Sequence, residues 1–206
     1  MIEGTHFLVF GAAALLLAVT PGPGMLYVLG RTVNGGRREG VLSSLGTFAG
    51  GSIHVLAAAL GLSAILATSA MAFQVVRYAG AAYLIYLGIA MIRSRNLAPQ
   101  SAMNKRERGS RPFLQGITTE VLNPKTALFF LSFIPQFVSM ARGHVMLQFL
   151  ILGTVSVTLN TCADLVVVMS ASAVARKMKG DERFARRQRT ASGMGMIGLG
   201  IYVAAK

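Results

Sequence analysis

Long apolar stretches constrain this chain more than any other feature of its sequence. A helix that crosses a hydrocarbon core of about 30 Å needs roughly 20 mainly apolar residues. Because lipid offers no partners to backbone polar groups, such stretches fold as helices. The sequence therefore predicts an all-α integral membrane protein with six transmembrane helices. The apolar windows lie at about residues 6–30, 41–67, 71–92, 113–138, 145–174 and 190–205.

The basic residues lie between these windows. The chain has 20 Lys and Arg residues against 7 Asp and Glu, a formal net charge of +13. Most of these cations fall in alternate gaps, at residues 31–40, 93–112 and 175–189, while the other two gaps contain only Arg142. This is the positive-inside pattern of cytoplasmic loops. It predicts both termini outside, membrane lipid as the surrounding partner, and no nucleic acid as a partner.

The two halves of the chain share short motifs in the same order, which favours an internal duplication. Because each half contains three helices, an odd number, the second copy enters the membrane from the opposite side and forms an inverted repeat. The predicted parts are a first three-helix repeat at 1–92, a basic cytoplasmic linker at 93–112 and a second three-helix repeat at 113–206. The matching pairs are Thr20-Pro21 with Asn123-Pro124, Gly46-Thr47 with Gly153-Thr154, and Ile85-Tyr-Leu-Gly-Ile89 with Ile197-Gly-Leu-Gly-Ile201, at offsets of 103 to 112 residues.

The first helix of each half is interrupted by proline. In the first break, Thr20-Pro21-Gly22-Pro23-Gly24, the two prolines leave the carbonyls of Leu17 and Val19 without their usual donors. In the second, Asn123-Pro124-Lys125 frees the carbonyl of Glu120 in the same way. Thr and Asn are good N-caps and proline favours the first helical position, so each break predicts a new half-helix that begins near mid-membrane.

Two half-helix starts that meet at the repeat interface predict a substrate site. Their partial positive charge and free N–H groups suit a carboxylate. The alternative is a pair of packing kinks, since proline and glycine are common in membrane helices. The predicted substrate-binding residues are Thr20, Pro21, Gly22, Pro23, Gly24, Glu120, Asn123, Pro124, Lys125, Asn160 and Asp164.

Three ionisable residues lie deep in the windows, and each costs about 2.5–3.5 kcal/mol at a helix centre. Glu120 and Asp164 are predicted to receive a substrate ammonium or to carry a proton, and Lys125 to add charge to the carboxylate site. The structural alternatives are a Lys125–Asp164 pair and a Glu120 that is wetted at the membrane interface. Asn160 either lines a cavity or hydrogen-bonds between helices.

Little in the sequence points to other chemistry. Cys162 is the only cysteine, so there is no disulfide, no dithiol and no cysteine-based metal cluster, and no cofactor is expected. His54 is expected to be satisfied by a neighbour. The glycines of the third and sixth windows favour close helix packing, within one chain or in a homodimer.

Three groups of residues carry a family likeness along nearly the whole chain. They are Thr20-Pro-Gly-Pro-Gly24 followed by Leu26, Gly80-Ala-Ala-Tyr-Leu84 with Leu87-Gly88, and Leu122-Asn-Pro-Lys125 followed by Phe129-Phe130 and Pro135-Gln-Phe137. With them the chain resembles the lysine exporter (LysE/RhtB) family, specifically its homoserine, threonine and leucine exporting branch.

The resemblance implies an inner-membrane secondary transporter that exports amino acids or their derivatives as an antiporter driven by protons. A neutral substrate is favoured over lysine, because proton coupling needs one or both of the two buried carboxylates. The alternatives are an exporter of a metal ion or another small metabolite, and an intramembrane enzyme or scaffold. The lack of a His/Cys cluster argues against a soft metal, and an enzyme would need a nucleophile with its base. A scaffold leaves the paired breaks and buried charges unexplained.

Overall fold

The computed structural model describes residues 4–93, 111–180 and 182–205, and the regular elements in these ranges are all helical. Most of the predicted linker, residues 94–110, lies outside the described part. Short π-helical turns cover Ala58–Leu62 and Phe129–Phe133, and 3₁₀ turns cover Ile134–Phe137 and Met140–Arg142. The α-helices are α1 (Gly4–Val19), α2 (Pro23–Ala57), α3 (Ser63–Thr68), α4 (Ala70–Arg93), α5 (Pro112–Val121), α6 (Pro124–Leu128), α7 (Val145–Gly180) and α8 (Glu182–Ala205).

The helix α2 reverses direction at Gly36, which has a left-handed φ of 83° that favours glycine. A Cβ atom placed on Gly40 would lie 3.1 Å from the Cβ of Thr32. In a straight helix, residues eight positions apart are separated by about 12 Å. We therefore distinguish a first arm of α2 (residues 23–35) and a second arm (residues 37–57), and the reversal falls in the predicted gap 31–40.

Three helical stretches are long and apolar enough to cross a membrane, within the described ranges. They are Pro23–Ile65, which contains the reversal, Met71–Arg93 and Val145–Ala171, and shorter apolar helices cover Phe7–Val19 and Thr190–Ala205. The prediction of an all-α membrane protein is confirmed at this level. The apolar stretches on either side of the gap at 175–189 agree with the predicted windows, and the helices themselves extend into the gap, since α7 continues to Gly180 and α8 begins at Glu182.

Glycines set the distances between the central helices. The second arm of α2 runs parallel to α5, where a Cβ on Gly46 would lie 2.9 Å from the Cα of Gly116. It runs antiparallel to α7, since Thr47 contacts Asp164 whereas Gly51, further along, contacts Val157. Small residues allow this close approach of membrane helices. These crossings bring α2, α5 and α7 together at the centre of the protein.

The distribution of polarity is that of a membrane protein. Apolar side chains on the outside are strongly exposed, among them Met71, Leu122 and Val166, as a lipid-facing surface requires. The interior contains an aromatic cluster that joins α1 to the later helices. Its rings are Phe10, Phe129, Phe133, Phe137 and Tyr202, with centroids 4.9–6.4 Å apart in contacting pairs.

Candidate functional site

The two proline breaks meet inside the protein, as the sequence predicts. The first separates α1 from α2, and the second separates α5 from α6. A Cβ on Gly22 would lie 3.1–3.2 Å from the Lys125 side chain, and a Cβ on Gly24 would collide with the carboxylate of Glu120. Glycine at both positions therefore lets side chains of the second break pack directly on the backbone of the first.

The two half-helix starts are built differently. Asn123 is the predicted N-cap of α6, and its Oδ1 accepts a hydrogen bond of 3.1 Å from the backbone N–H of Lys125. The prediction that Thr20 caps the start of α2 was wrong, because its hydroxyl donates to the carbonyl of Leu16 at the end of α1. The N-cap of α2 is Gly22, which has no side chain, and the first helical residue is Pro23.

The two helix starts share one local pattern. Pro21 lies between the end of α1 at Val19 and the N-cap Gly22, so the helix starts are Gly22-Pro23 and Asn123-Pro124. Pro23 and Pro124 are both exposed, whereas Gly22 and Asn123 before them are both buried. The prolines at the two helix starts are thus 101 residues apart (124 − 23).

The side chain of Lys125 extends from the second break to the first. Its ammonium donates to the backbone carbonyls of Leu17, at 2.9 Å, and Thr20, at 2.7 Å. The carbonyl of Leu17 is the one that Pro21 deprives of its helical donor. No salt bridge joins Lys125 to Asp164 in the described part of the chain, so that structural alternative is not realised.

Glu120 braces the second break. Its carboxylate accepts hydrogen bonds from the Thr126 hydroxyl, at 2.6 Å, and from the Asn123 side-chain amide, at 3.1 Å. The side chain is buried, which excludes the alternative of a wetted carboxylate in this conformation. Its backbone carbonyl, predicted to be free, accepts from the N–H of Asn123 at 3.0 Å and lies 3.0 Å from Nε2 of His54. His54 is thus satisfied by a neighbour, as predicted.

Asp164 faces the second arm of α2. It is fully buried, and its Oδ2 accepts a hydrogen bond of 2.9 Å from the Thr47 hydroxyl. Its Oδ1 has no hydrogen-bond partner among the described residues. Thr47 lies one helical turn before Gly50, on which a Cβ would lie 2.8 Å from the Cβ of Glu120. Asp164 and Glu120 therefore contact neighbouring turns of the same arm of α2, although Asp164 forms no hydrogen bond or salt bridge with Glu120 or Lys125 in the described ranges.

Asn160 lies one helical turn before Asp164 on α7 and is half-buried. Its side chain makes no hydrogen bond within the described ranges, so an interhelical hydrogen bond is not realised there. The described residues contain no group of three or more His, Cys, Asp or Glu side chains that would hold a metal ion. The site's chemistry is that of buried carboxylates, an ammonium and broken helix ends.

A second polar cluster, which the sequence did not predict, lies at the α2 reversal. Arg31, assigned to a basic gap, is buried, forms an ion pair of 3.2 Å with Glu39, and also donates to the Gln115 side chain. Its guanidinium carbon lies 5.8 Å from the ring centroid of Tyr27, whose hydroxyl donates to the carbonyl of Pro112 at 2.7 Å. The available signal was Gly35-Gly36, which allows the chain to fold Glu39 back onto Arg31.

Buried charges at two meeting helix breaks, inside an apolar exterior, define a multi-pass membrane protein with a polar centre. The chain belongs to the LysE type translocator family, whose family model matches residues 15–206. The family inferred from the motifs is thereby confirmed.

Several bacterial proteins are similar over most of the chain. The leucine efflux protein of Enterobacter sp. (strain 638) is 30% identical over 195 residues, which cover 94% of this chain and 90% of that protein. The homoserine/homoserine lactone efflux protein of Salmonella typhimurium is 31% identical over 163 residues, 79% of this chain and 77% of that protein. An uncharacterized membrane protein of Pseudomonas aeruginosa is 28% identical over 205 residues, 97% and 95% of the two chains. No solved structure matches the chain.

Proposed function

We propose that this protein exports small neutral amino acids or their derivatives, such as homoserine, threonine or leucine, across the bacterial inner membrane. The observation that carries the proposal is the meeting of two broken helices around buried Lys125, Glu120 and Asp164. A zwitterion presents one carboxylate and one ammonium, and this centre offers partners to both. Two relatives named as leucine efflux and homoserine efflux proteins support the same substrate class.

The substrate carboxylate binds at the half-helix starts, where backbone N–H groups carry partial positive charge. Gly22 and Gly24 support this role, because polar groups approach their backbone directly where no side chain intervenes, as Lys125 and Glu120 do in this conformation. The free Oδ1 of Asp164 supports a role in receiving a proton or the substrate ammonium. The proposed contact set is Thr20, Pro21, Gly22, Pro23, Gly24, Glu120, Asn123, Pro124, Lys125, Asn160 and Asp164.

The layout behind this site is two inverted three-helix repeats at 1–92 and 113–206, joined by the cytoplasmic linker 93–112. Contacts between α4 and α8 support it. A Cβ on Gly88 would meet the carbonyl of Gly193, and a Cβ on Gly200 would meet that of Ala81. Adding 112 to Ala81 and Gly88 gives Gly193 and Gly200, so each contact is the other's copy. The two helices are antiparallel, as an inverted repeat requires.

Transport is a secondary process in which protons enter as the amino acid leaves, with no enzymatic step. A homodimer is not needed to cover the glycine faces, because Gly88, Gly193 and Gly200 are packed within one chain. Gly198 of α8 is exposed, and a Cβ placed on it would meet no atom within 4 Å. A second copy of the protein would approach at this position.

Efflux from proteoliposomes tests the proposal. Vesicles that contain the purified protein are loaded with single radiolabelled amino acids, and release is followed with and without an imposed proton gradient. We expect release of leucine, threonine or homoserine, accelerated by inward protons, and little release of lysine. Protein-free vesicles provide the leak control. The proposal is contradicted if the vesicles release none of the neutral amino acids faster than this leak.

A further inference from the structure

The end of α1 holds an ammonium group that belongs to the other half of the chain. Lys125 Nζ lies 2.9 Å from the carbonyl oxygen of Leu17 and 2.7 Å from that of Thr20. The lysine is 6% exposed, so this contact is enclosed by protein. The two main-chain carbonyls therefore bind a primary ammonium in the structure itself.

The chemistry of this carbonyl pair follows from the proline break. Pro21 has no N–H, so the carbonyl of Leu17 lacks its i+4 donor and shares the N–H of Thr20, at 3.2 Å, with the carbonyl of Leu16. A second lone pair of the Leu17 carbonyl is left for Lys125, and the last turn of any helix carries partial negative charge. Gly22 leaves space for the Lys125 ammonium, because a Cβ on this residue would lie 3.2 Å from Nζ of Lys125. The break at Pro21 and the absence of a side chain on Gly22 together form an acceptor site for an N–H donor.

The Lys125 ammonium is held without a direct carboxylate partner. Of its three N–H donors, two point at the carbonyls, and the third has no protein acceptor within the described ranges. The carboxylate of Glu120 accepts hydrogen bonds from Thr126 and Asn123 instead, and that of Asp164 accepts one from Thr47. A second primary ammonium would therefore meet the same two carbonyls.

We infer that the carbonyls of Leu17 and Thr20 form a primary-ammonium subsite, which Lys125 fills in this conformation and the substrate α-ammonium fills during transport. The assignment of this subsite to the substrate α-ammonium rests on the proposed function. Exchange of one R–NH₃⁺ group for another keeps both hydrogen bonds and the local charge. The displaced Lys125 ammonium then meets the substrate carboxylate, so a zwitterion satisfies both sides of the exchange.

Chemical rescue of Lys125→Ala tests the subsite. Thermal unfolding of the purified protein is measured in methylammonium chloride and in tetramethylammonium chloride at equal concentration. We expect the variant to unfold at lower temperature than wild type, and methylammonium at tens of millimolar to restore part of the loss. Tetramethylammonium, which has no N–H, should not do so, and wild type should respond equally to both salts.

A matched control is Leu152→Ala, a fully buried truncation that vacates no ammonium position. Its melting temperature should not distinguish the two salts. If Lys125→Ala does not fold, Lys125→Ser, which leaves the same ammonium position vacant, is measured in the same way. Equal response of the lysine variant to both salts overturns the subsite.

Flux measurements test the substrate half of the inference. In vesicles containing Lys125→Ala, methylammonium should inhibit amino-acid counterflow competitively, at lower concentration than in wild type. Selective thermal rescue without competition overturns the assignment to the substrate ammonium. If wild type moves no amino acid, the proposed function fails, while the thermal experiment still decides whether the subsite exists.

Discussion

Arg31 and Glu39 form an ion pair of 3.2 Å although a helical reversal separates them in the chain. The same guanidinium donates to Gln115 at the start of α5. This pair therefore fastens the α2 reversal to the second half of the protein. Because Arg31 is almost completely buried, its charge depends on these partners.

Glu39→Gln should destabilise the protein, because it leaves a buried guanidinium without its carboxylate. We expect a loss of about 1–3 kcal/mol, the cost of a buried polar group that loses a partner, which is less than that of breaking a fully buried ion pair because Glu39 is partly exposed. Denaturant unfolding in detergent measures it. Arg37→Gln removes an exposed charge near the same turn and should change stability by less than about 0.5 kcal/mol. Equal effects of the two substitutions would contradict this role for the pair.

Gly116→Val should separate the second arm of α2 from α5. A Cβ on Gly116 would lie 2.6 Å from the backbone carbonyl of Ser43, and backbone cannot move aside as a flexible side chain can. Overpacking of this kind costs about 1–3 kcal/mol. Gly11→Ala, where a Cβ meets nothing within 4 Å, is the control and should be neutral or stabilising. The prediction fails if both substitutions leave the melting temperature unchanged.

Asp164→Asn should fold but lose proton-driven export. Asparagine keeps an oxygen for the Thr47 hydroxyl, yet it cannot take up and release a proton. Amino-acid efflux at several imposed pH gradients, at matched protein amounts, measures the coupling. We expect downhill exchange to persist while acceleration by inward protons disappears. Thr47→Val, which removes the hydroxyl and leaves the carboxylate, should retain coupling. Wild-type acceleration in Asp164→Asn would exclude this carboxylate as the proton carrier.

The orientation in the membrane is testable by cysteine labelling. Cys162 is exposed, so a Cys162→Ala background is required. A cysteine at Lys105, in the predicted cytoplasmic linker, should react with an impermeant reagent in opened membranes but not in intact cells. A cysteine at Met140, exposed in a gap predicted to be external, should react in both. Labelling of position 105 from outside intact cells would reverse the predicted topology.

Local rules identified the breaks but not their partners. Pro21 indicates in the sequence that the carbonyl of Leu17 lacks its i+4 donor, and in the structure the N–H of Thr20 lies 3.2 Å from it. That Lys125 also donates to this carbonyl depends on how two distant segments pack, which no local pattern encodes. The same limit explains Thr20, whose hydroxyl had two helix ends within reach and bonds to the earlier one. The sequence predicts a loop position for Arg31, because only the left-handed φ of Gly36 brings Glu39 close to its guanidinium.

The two breaks, alike as motifs, differ in stiffness. Asn123 and Glu120 tie α5 to α6 with side-chain hydrogen bonds on both sides of the interruption. Gly22 makes no such side-chain bond between α1 and α2. We therefore expect any bending between half-helices to fall mainly on the first break, with the second as its fixed support. One break would then act as a hinge and the other as its anchor.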